Sequence, residues 1–196
     1  MILNENEFLE NVNTIWETVK NQDYIFQEVI IQHPEINNIY PKSINTIRIE
    51  AYKDINGNNH TLGTLMRFGS QGSQVDNISQ GGFFVDINSN TGTLFKHGRT
   101  NLIHEGKLLP THPDTGFVFE GFKIPFFEDC LKLVEEAAKK TSGYVFAWDI
   151  VITPNGPTLL EGNNYPSFTT GELSYGGYKN KEAFKEIFQA ANIKYL

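Results

Sequence analysis

The chain has 196 residues, enough to bury one sizeable hydrophobic core. Hydrophobic residues make up 39% and charged residues 20%, the balance of a soluble globular protein, and the net charge of −7 argues against binding to nucleic-acid phosphates. No apolar run could span a membrane, and the N-terminus lacks a secretion signal. The single cysteine, Cys130, excludes an internal disulfide and fits a reducing compartment. We therefore expect one cytoplasmic domain over residues 1–196, with neither nucleic acid nor membrane as a partner.

The first elements are a predicted helix over Asn4–Asn21 and a predicted strand over Tyr24–Gln32. The helix has apolar residues at helical spacing and a possible capping box at Asn4 and Glu7, and His33-Pro34 interrupts the strand. Within this apolar strand, the acidic residue Glu28 could hold the ribose hydroxyls of a nucleotide, while the backbone of its neighbours Gln27 and Val29 pairs with adenine. A plain charge on an edge strand explains Glu28 nearly as well.

A predicted hairpin follows, with strands over Asn45–Lys53 and His60–Gly69 and a turn at residues 54–57. Arg48 and Arg67 lie on these adjacent strands. If they face inward they need anionic partners, and a bound phosphate chain with its metal would suit two arginines. Solvated arginines that face outward are the alternative.

Residues 70–80 form a predicted polar loop that enters a strand at Gly81-Gly82 and ends near Ile87. Another strand is expected over Thr93–Lys96. Asn77 offers an amide, and glycines let backbone N–H groups approach a phosphate closely, although an ordinary loop would also have this composition. Residues 99–121 are irregular, and the two histidines in them, His104 and His112, lack metal-ligand spacing.

Helices are predicted over Phe126–Lys140 and Asn180–Asn192, with Cys130 on the apolar stripe of the first. Strands outnumber helices and are joined mostly by hairpins. The predicted fold class is therefore α+β, with a mainly antiparallel sheet and flanking helices.

The stretch Tyr144–Pro166 predicts two strands joined at Pro154-Asn155-Gly156. A three-residue loop pairs Thr153 with Pro157 and fits the residue types better than a two-residue Asn-Gly loop. That register pairs two carboxylates and, by the two-residue period of a strand, sets an amide on their face. Hard oxygen ligands of this kind suit Mg²⁺, although polar residues at strand ends that face water are the alternative. The three residues are Asp149, Glu161 and Asn163.

The order of these motifs resembles that of the C-terminal part of an ATP-grasp ligase, and most of all the sugar-transfer-associated ATP-grasp group. The resemblance covers about residues 24–166. It is carried by Gln-Glu at 27–28, Asn-Thr-Ile-Arg at 45–48, Arg67, Asp-Asn…Gln-Gly-Gly at 76–82, His-Pro-Asp-Thr-Gly at 112–116, Gly-Phe-Lys-Ile-Pro at 121–125, Trp-Asp-Ile at 148–150 and Leu-Glu-Gly-Asn at 160–163.

The resemblance implies ATP-dependent ligase chemistry that joins a small-molecule or peptide carboxylate to an amine. It also implies a place in polysaccharide or cell-surface biosynthesis. It places Mg²⁺ at Asp149, Glu161 and Asn163, and Arg67 and Arg48 at the reacting groups. It assigns ATP to the remaining motif residues, namely Gln27, Glu28, Val29, Asn77, Gly81 and Gly82.

The chain also departs from the family, in which a small domain ahead of the Gln-Glu strand supplies phosphate-binding lysines. One helix precedes Tyr24 here, with Lys20 as its only lysine. We therefore expect a truncated relative, an isolated domain or half of a two-chain enzyme whose partner chain supplies the missing domain, with weak affinity for ATP. A non-catalytic module that binds a sugar, peptide or partner, favoured by exposed aromatics, and an ATP-grasp kinase stay open as alternatives. The aromatics are Tyr165, Phe168, Tyr175 and Tyr178.

Overall fold

The computed structural model describes residues 5–23, 27–164, 166–174, 177–178 and 181–194. Its backbone contacts divide the chain into two compact units, residues 1–31 and residues 32–196. The expectation of a single domain over residues 1–196 stays a prediction.

The described residues of the first unit contain one helix, α1, over Glu5–Val19, which confirms the helix predicted there. Glu5 and Glu7 lie in its first turn, where negative charge favours the positive end of the helix dipole. The predicted cap residue Asn4 lies outside the described residues. No helix in the part of the chain that the structure describes is long and apolar enough to cross a membrane.

The prediction of a strand over residues 24–32 is wrong for residues 27–32, the part of it that the structure describes, because these residues pair with no strand. Val29 is 52% exposed and Ile31 is 72% exposed. An apolar, β-branched run is a strand only where a neighbouring strand accepts its hydrogen bonds, and local propensity cannot supply that neighbour. His33-Pro34 begins a short helix instead, with the His33 side chain accepting a hydrogen bond from the Glu35 N–H at 3.2 Å.

The second unit is built on an antiparallel sheet of seven strands, in the order β5-β4-β3-β2-β1-β6-β7 within the described residues. The strands are β1 (Ile47–Lys53), β2 (Asn59–Phe68), β3 (Phe83–Asn88), β4 (Thr93–Arg99), β5 (Leu108–Leu109), β6 (Val145–Thr153) and β7 (Gly156–Asn163). The helices are α2 (Pro34–Asn37), α3 (Phe127–Lys139), α4 (Phe168–Ser174) and α5 (Glu182–Ala190), with 3-10 turns at Ile78–Gln80 and Leu102–His104. The predicted α+β class with an antiparallel sheet is confirmed.

One side of the sheet, which we call the core face, is covered by α3. Alternate strand residues such as Ile47, Ile49 and Ile150 pack there against Phe127 and Cys130 of the helix. Cys130 is fully buried, as the helical stripe predicts. Each such buried side chain contributes roughly 1.5–3 kcal/mol to folding, so this face holds most of the stabilising apolar area.

The other side, which we call the polar face, carries charged residues in the middle of the sheet. It is covered in part by small apolar clusters that involve α4 and α5. One cluster contains Tyr52, Leu62, Tyr178 and Ile187, and the other contains Leu65, Ile78 and Phe84 packed against Leu173. Thr46, Arg48 and Glu50 alternate with the buried isoleucines of β1 and therefore point to this face.

The turn between β6 and β7 differs from the predicted three-residue loop. Thr153 pairs with Gly156 across a two-residue loop, and the Thr153 hydroxyl donates to the Gly156 carbonyl at 2.9 Å. A bulge at Leu160 then adds the missing residue, so that Asp149 still pairs with Glu161 as predicted. The prediction of the turn is wrong and the prediction of the carboxylate pair is right, because the bulge offsets the shorter loop.

Candidate functional site

The centre of the polar face is an ion pair between neighbouring strands. Arg48 of β1 lies directly opposite Asp149 of β6. Its Nε donates to Oδ1 and its Nη2 donates to Oδ2, both at 2.8 Å, which is the bidentate geometry that guanidinium and carboxylate favour. Asp149 is only 1% exposed. Burial by itself lowers the pKa of Arg48, but the hydrogen bonds and charge of Asp149 more than offset this and the pKa of Arg48 is raised.

Arg67 of β2 joins the same carboxylate from the other side of β1. Its Nη2 donates to Asp149 Oδ2 at 3.1 Å, and its Nε donates to the Thr46 hydroxyl at 2.8 Å. Thr46 in turn donates to Asp76 Oδ2 through its hydroxyl at 2.5 Å and through its backbone N–H at 2.9 Å. Two arginines are therefore held by two buried carboxylates, directly or through a hydroxyl, in a nearly neutral network.

Thr46 and Asp76 are members of this network that the sequence did not single out as site residues. Both could have been found, because Thr46 lies two residues before Arg48 on the same strand face and Asp76 directly precedes Asn77. The signal was weak since a threonine or aspartate beside a motif is common. Their function in the fold is to hold Arg67 in one orientation.

A cavity of about 330 Å³, which we call the arginine cavity, opens beside the network. Arg48, Arg67 and Asn77 all line it, so the structure brings together three residues that the sequence predicted separately. Three hydroxyl-bearing residues of the segment that leads into and begins α4 also line the cavity, namely Ser167, Thr169 and Thr170. Guanidinium, amide and hydroxyl donors around one cavity suit an anionic ligand such as a phosphate or carboxylate.

Glu161 and Asn163 lie on β7 beside Asp149. Glu161 is the cross-strand partner of Asp149, and Asn163 follows two residues later, so the three residues share one face. Glu161 is exposed and Asn163 is half-buried. β7 lies at one end of the strand order among the described residues and exposes Leu160 to 43%, so this side of the candidate metal set is open to solvent.

These oxygen groups could hold a divalent ion, provided that Asp149 binds it through the one oxygen that still has an unused lone pair. Its Oδ2 accepts hydrogen bonds from both arginines, whereas its Oδ1 accepts only one and keeps a lone pair. The remaining lone pair of Oδ1, the Glu161 carboxylate and the Asn163 amide oxygen could together supply the all-oxygen ligands that Mg²⁺ prefers. Among the described residues no group of three carboxylate, histidine or cysteine side chains could hold a metal ion, and the assignment of Mg²⁺ to Asp149, Glu161 and Asn163 stays a prediction.

Gly81 and Gly82 shape the turn that carries Asn77. Gly81 has a φ of 95°, and a Cβ on Gly82 would lie 2.6 Å from the Asp76 carbonyl oxygen. The Gly82 N–H donates to the Asn77 carbonyl at 3.0 Å, so this N–H is already used within the fold. The predicted contacts of the two glycines with a nucleotide stay predictions.

The remaining predicted residues lie elsewhere. Gln27, Glu28 and Val29 are exposed residues of the first unit without regular structure, and their contact with a nucleotide stays a prediction.

Of the aromatics expected to be exposed, Phe168 is 40% exposed, whereas Tyr178 is 1% exposed and its hydroxyl donates to Glu50 at 2.6 Å. The expectation is wrong for Tyr178 because its hydroxyl meets a buried carboxylate, whose pKa is raised by burial. Tyr165 and Tyr175 lie outside the described residues.

His112 is a structural residue of the second unit. It is fully buried, its ring stacks on Tyr40 with centroids 4.7 Å apart, and its Nε2 lies 3.1 Å from the Gly69 carbonyl oxygen. Its Nδ1 accepts a hydrogen bond from the Asp114 N–H at 3.2 Å, which requires a neutral ring. The motif at residues 112–116 therefore anchors a loop: the Asp114 carboxylate also accepts hydrogen bonds from the backbone N–H groups of Gln71 and Gly72.

Comparison with known protein families agrees with the resemblance that the order of the motifs indicates. The chain matches the family described as sugar-transfer associated ATP-grasp over residues 4–186. A search of curated proteins found no match. Since the matched region is most of the chain and contains every residue of the arginine cavity and of the candidate metal set, the chain belongs to the sugar-transfer-associated ATP-grasp family.

Proposed function

We propose that this protein is an ATP- and Mg²⁺-dependent ligase-like enzyme that joins a carboxylate to an amine. Membership of an ATP-grasp family supports nucleotide binding and ligase-like chemistry. The observation that carries the proposal is the arginine cavity, where Arg48, Arg67 and Asn77 meet beside a carboxylate that shares a face with Glu161 and Asn163.

The proposed reaction has two steps. A substrate carboxylate oxygen attacks the γ-phosphorus of ATP, the bond to the ADP oxygen breaks, and an acyl phosphate forms. The amine nitrogen then attacks the acyl carbon, inorganic phosphate leaves, and the nitrogen loses a proton to solvent. Both steps place negative charge on phosphoryl oxygens, which is the charge that guanidinium groups stabilise.

The residues of the cavity have separate tasks in this proposal. Arg67 is held by Asp149 and by Thr46, so its orientation is set before any ligand binds and costs no reorganisation. Arg48 is bidentate to Asp149 and lines the same cavity, and Asn77 adds an amide to its lining for phosphate or acceptor carboxylate. Asp149 Oδ1, Glu161 and Asn163 would hold Mg²⁺, which supplies Lewis-acid charge neutralisation to bound phosphates.

The substrates are proposed by class only. They are a small-molecule or peptide carboxylate and an amine, handled in the cytoplasm where ATP is available. The family description supports a place in polysaccharide or cell-surface biosynthesis. A partner chain that contributes further phosphate-binding groups is part of the proposal.

Calorimetric titration with a magnesium complex of a non-hydrolysable ATP analogue tests nucleotide binding at this cavity. Arg48→Lys keeps the charge but loses the bidentate geometry, and we expect binding to weaken by about tenfold or more, the value of one charge-assisted hydrogen bond. Arg99→Lys is the matched control, because Arg99 lies on β4 and is not among the residues that line the arginine cavity. Equal binding by wild type and Arg48→Lys would remove the assignment.

Phosphorus NMR of turnover mixtures then identifies the reaction class. A ligase releases ADP and inorganic phosphate in step with the joined product. A kinase would leave phosphate on the acceptor. Nucleotide-independent binding of a sugar, peptide or partner, without turnover, would instead identify a non-catalytic module.

A further inference from the structure

A second cavity lies beside the arginine cavity in the second unit, with a volume of about 610 Å³. We call it the amide cavity, because Gln71 and Gln80 contribute side-chain amides to it. Ser79 and Ile103 line both cavities, so the two spaces share one wall. A ligand in the amide cavity would therefore lie next to a ligand in the arginine cavity.

The shared wall is held in place by hydrogen bonds within the loop 100–107. The Thr100 hydroxyl donates to the His104 carbonyl at 2.7 Å and accepts from the Lys107 N–H at 2.8 Å. The Asn101 amide donates to the Ile78 carbonyl at 3.2 Å and so ties the loop to the 3-10 turn that carries Ser79 and Gln80. The cavity is consequently formed before a ligand arrives, which lowers the cost of binding.

The charge of the amide cavity differs from that of its neighbour. Its lysine, Lys107, lies 3.0 Å from the Glu105 carboxylate, and both side chains are well exposed to solvent. None of its described lining residues is an arginine. Because the two opposite charges are paired with each other, the cavity favours a ligand without net charge, whereas the arginine cavity favours an anion.

The unused hydrogen-bonding groups of the cavity narrow the class of ligand further. Within the described part of the chain, the side-chain amides of Gln71 and Gln80 and the Ser79 hydroxyl have no protein hydrogen-bond partner. Such groups both donate and accept, as the hydroxyls of a sugar do. Ile103 is 81% exposed and, with Leu109 and Pro113, adds an apolar wall for the C–H face of a ring.

We propose that the amide cavity is a binding site for a neutral saccharide ring. The groups on its walls would bind the ring hydroxyls and its apolar side would cover one ring face. Its position beside the arginine cavity lets it hold a neutral sugar ring that forms part of the amine-bearing acceptor substrate, and this second statement rests on the proposed ligase function.

Saturation-transfer NMR with a panel of neutral methyl glycosides, in the absence of nucleotide and metal, tests the site. The panel contains methyl glucoside, methyl galactoside and the methyl glycoside of N-acetylglucosamine. We expect transfer to ring protons, and a dissociation constant that rises about tenfold in Gln80→Leu. Gln74→Leu is the matched control, since Gln74 is exposed and is not among the lining residues, and Thr169→Val controls for the arginine cavity. Both controls should bind like wild type.

Three results would overturn the proposal: no saturable binding of any glycoside in the panel, equal binding by Gln80→Leu and Gln74→Leu, or preference for glucuronate over the neutral sugars. The methyl resonance of Ile103 tests the adjacency. It should shift with a glycoside and also with the magnesium complex of the ATP analogue, while exposed Ile55 should not shift with either. Glycoside binding without nucleotide binding would keep the sugar site and reject the ligase, and the reverse result would reject only the sugar site.

Discussion

Asp149→Asn is the substitution that perturbs the central network most directly. Asp149 is buried and accepts three hydrogen bonds from two arginines, at 2.8, 2.8 and 3.1 Å. Asparagine has the same shape, but it replaces one acceptor oxygen with an NH₂ group that faces a guanidinium. It also removes the one carboxylate that accepts hydrogen bonds from both arginines and leaves them with the more distant charges of Asp76 and Glu50. Removing one partner of a buried ion pair costs about 3–5 kcal/mol, because the remaining charge stays desolvated and unpaired.

The assay is equilibrium unfolding in urea, supported by thermal unfolding. For a chain of this size we expect the melting temperature of Asp149→Asn to fall by about 6–20 °C, at about 2–4 °C per kcal/mol. Glu161→Gln is the matched control, because Glu161 belongs to the same proposed metal set but is exposed. Its effect should be within about 0.5 kcal/mol. If Asp149→Asn unfolds at the same urea concentration as wild type, the ion-pair network described above does not exist in solution.

Three further predictions concern the second unit. Gly82→Ala should lose about 1–3 kcal/mol of unfolding free energy, since its Cβ would meet the Asp76 carbonyl oxygen at 2.6 Å, and wild-type stability in urea would contradict this contact. Burial lowers the pKa of His112 below 6.5 in the folded state only, so the unfolded chain binds the proton first and the free energy of unfolding should fall as the pH drops through about 6.5. NMR titration should show the His112 ring still neutral in the native protein at a pH where the same ring is protonated in the urea-unfolded chain, and the same titration in both states would refute the buried, neutral ring. Burial raises the pKa of the Cys130 thiol to about 12, so the thiol of the native protein should resist thiol reagents at neutral pH and react only in urea. Rapid labelling of the native protein would place Cys130 outside the core.

Local patterns in the sequence were sufficient for most elements of the second unit. The hairpin pairing identified Asp149 and Glu161 as neighbours, and the two-residue period identified Asn163 as a residue on their face. These relations depend on residues close together in the chain, where turn length and alternation limit the possible registers.

The pairing of Arg48 with Asp149 could not be predicted in this way. The two residues are 101 positions apart, and they meet only because β6 pairs with β1 rather than with another strand. The number of possible strand orders is large for a seven-stranded sheet, and no turn between β1 and β6 restricts it. For the same reason the sequence predicted two arginines that face a ligand, whereas the structure shows both of them bound first to a carboxylate.

The bulge at Leu160 and the unpaired residues 27–32 were missed for a related reason. A bulge leaves residue composition almost unchanged, and strand propensity does not state whether a partner strand exists. Both features are set by long-range pairing, which a single sequence does not reveal.

The central claim is that Asp149, Glu161 and Asn163 hold a divalent ion beside the arginine cavity. The most direct test is electron paramagnetic resonance of Mn²⁺ titrated into the protein with a non-hydrolysable ATP analogue, comparing wild type with Glu161→Gln and with Glu128→Gln. Glu128 is an exposed glutamate of α3, across the sheet from the site. The account predicts a bound Mn²⁺ signal that Glu161→Gln loses and Glu128→Gln keeps. An equal signal in all three proteins, or no bound Mn²⁺ in wild type, would contradict it.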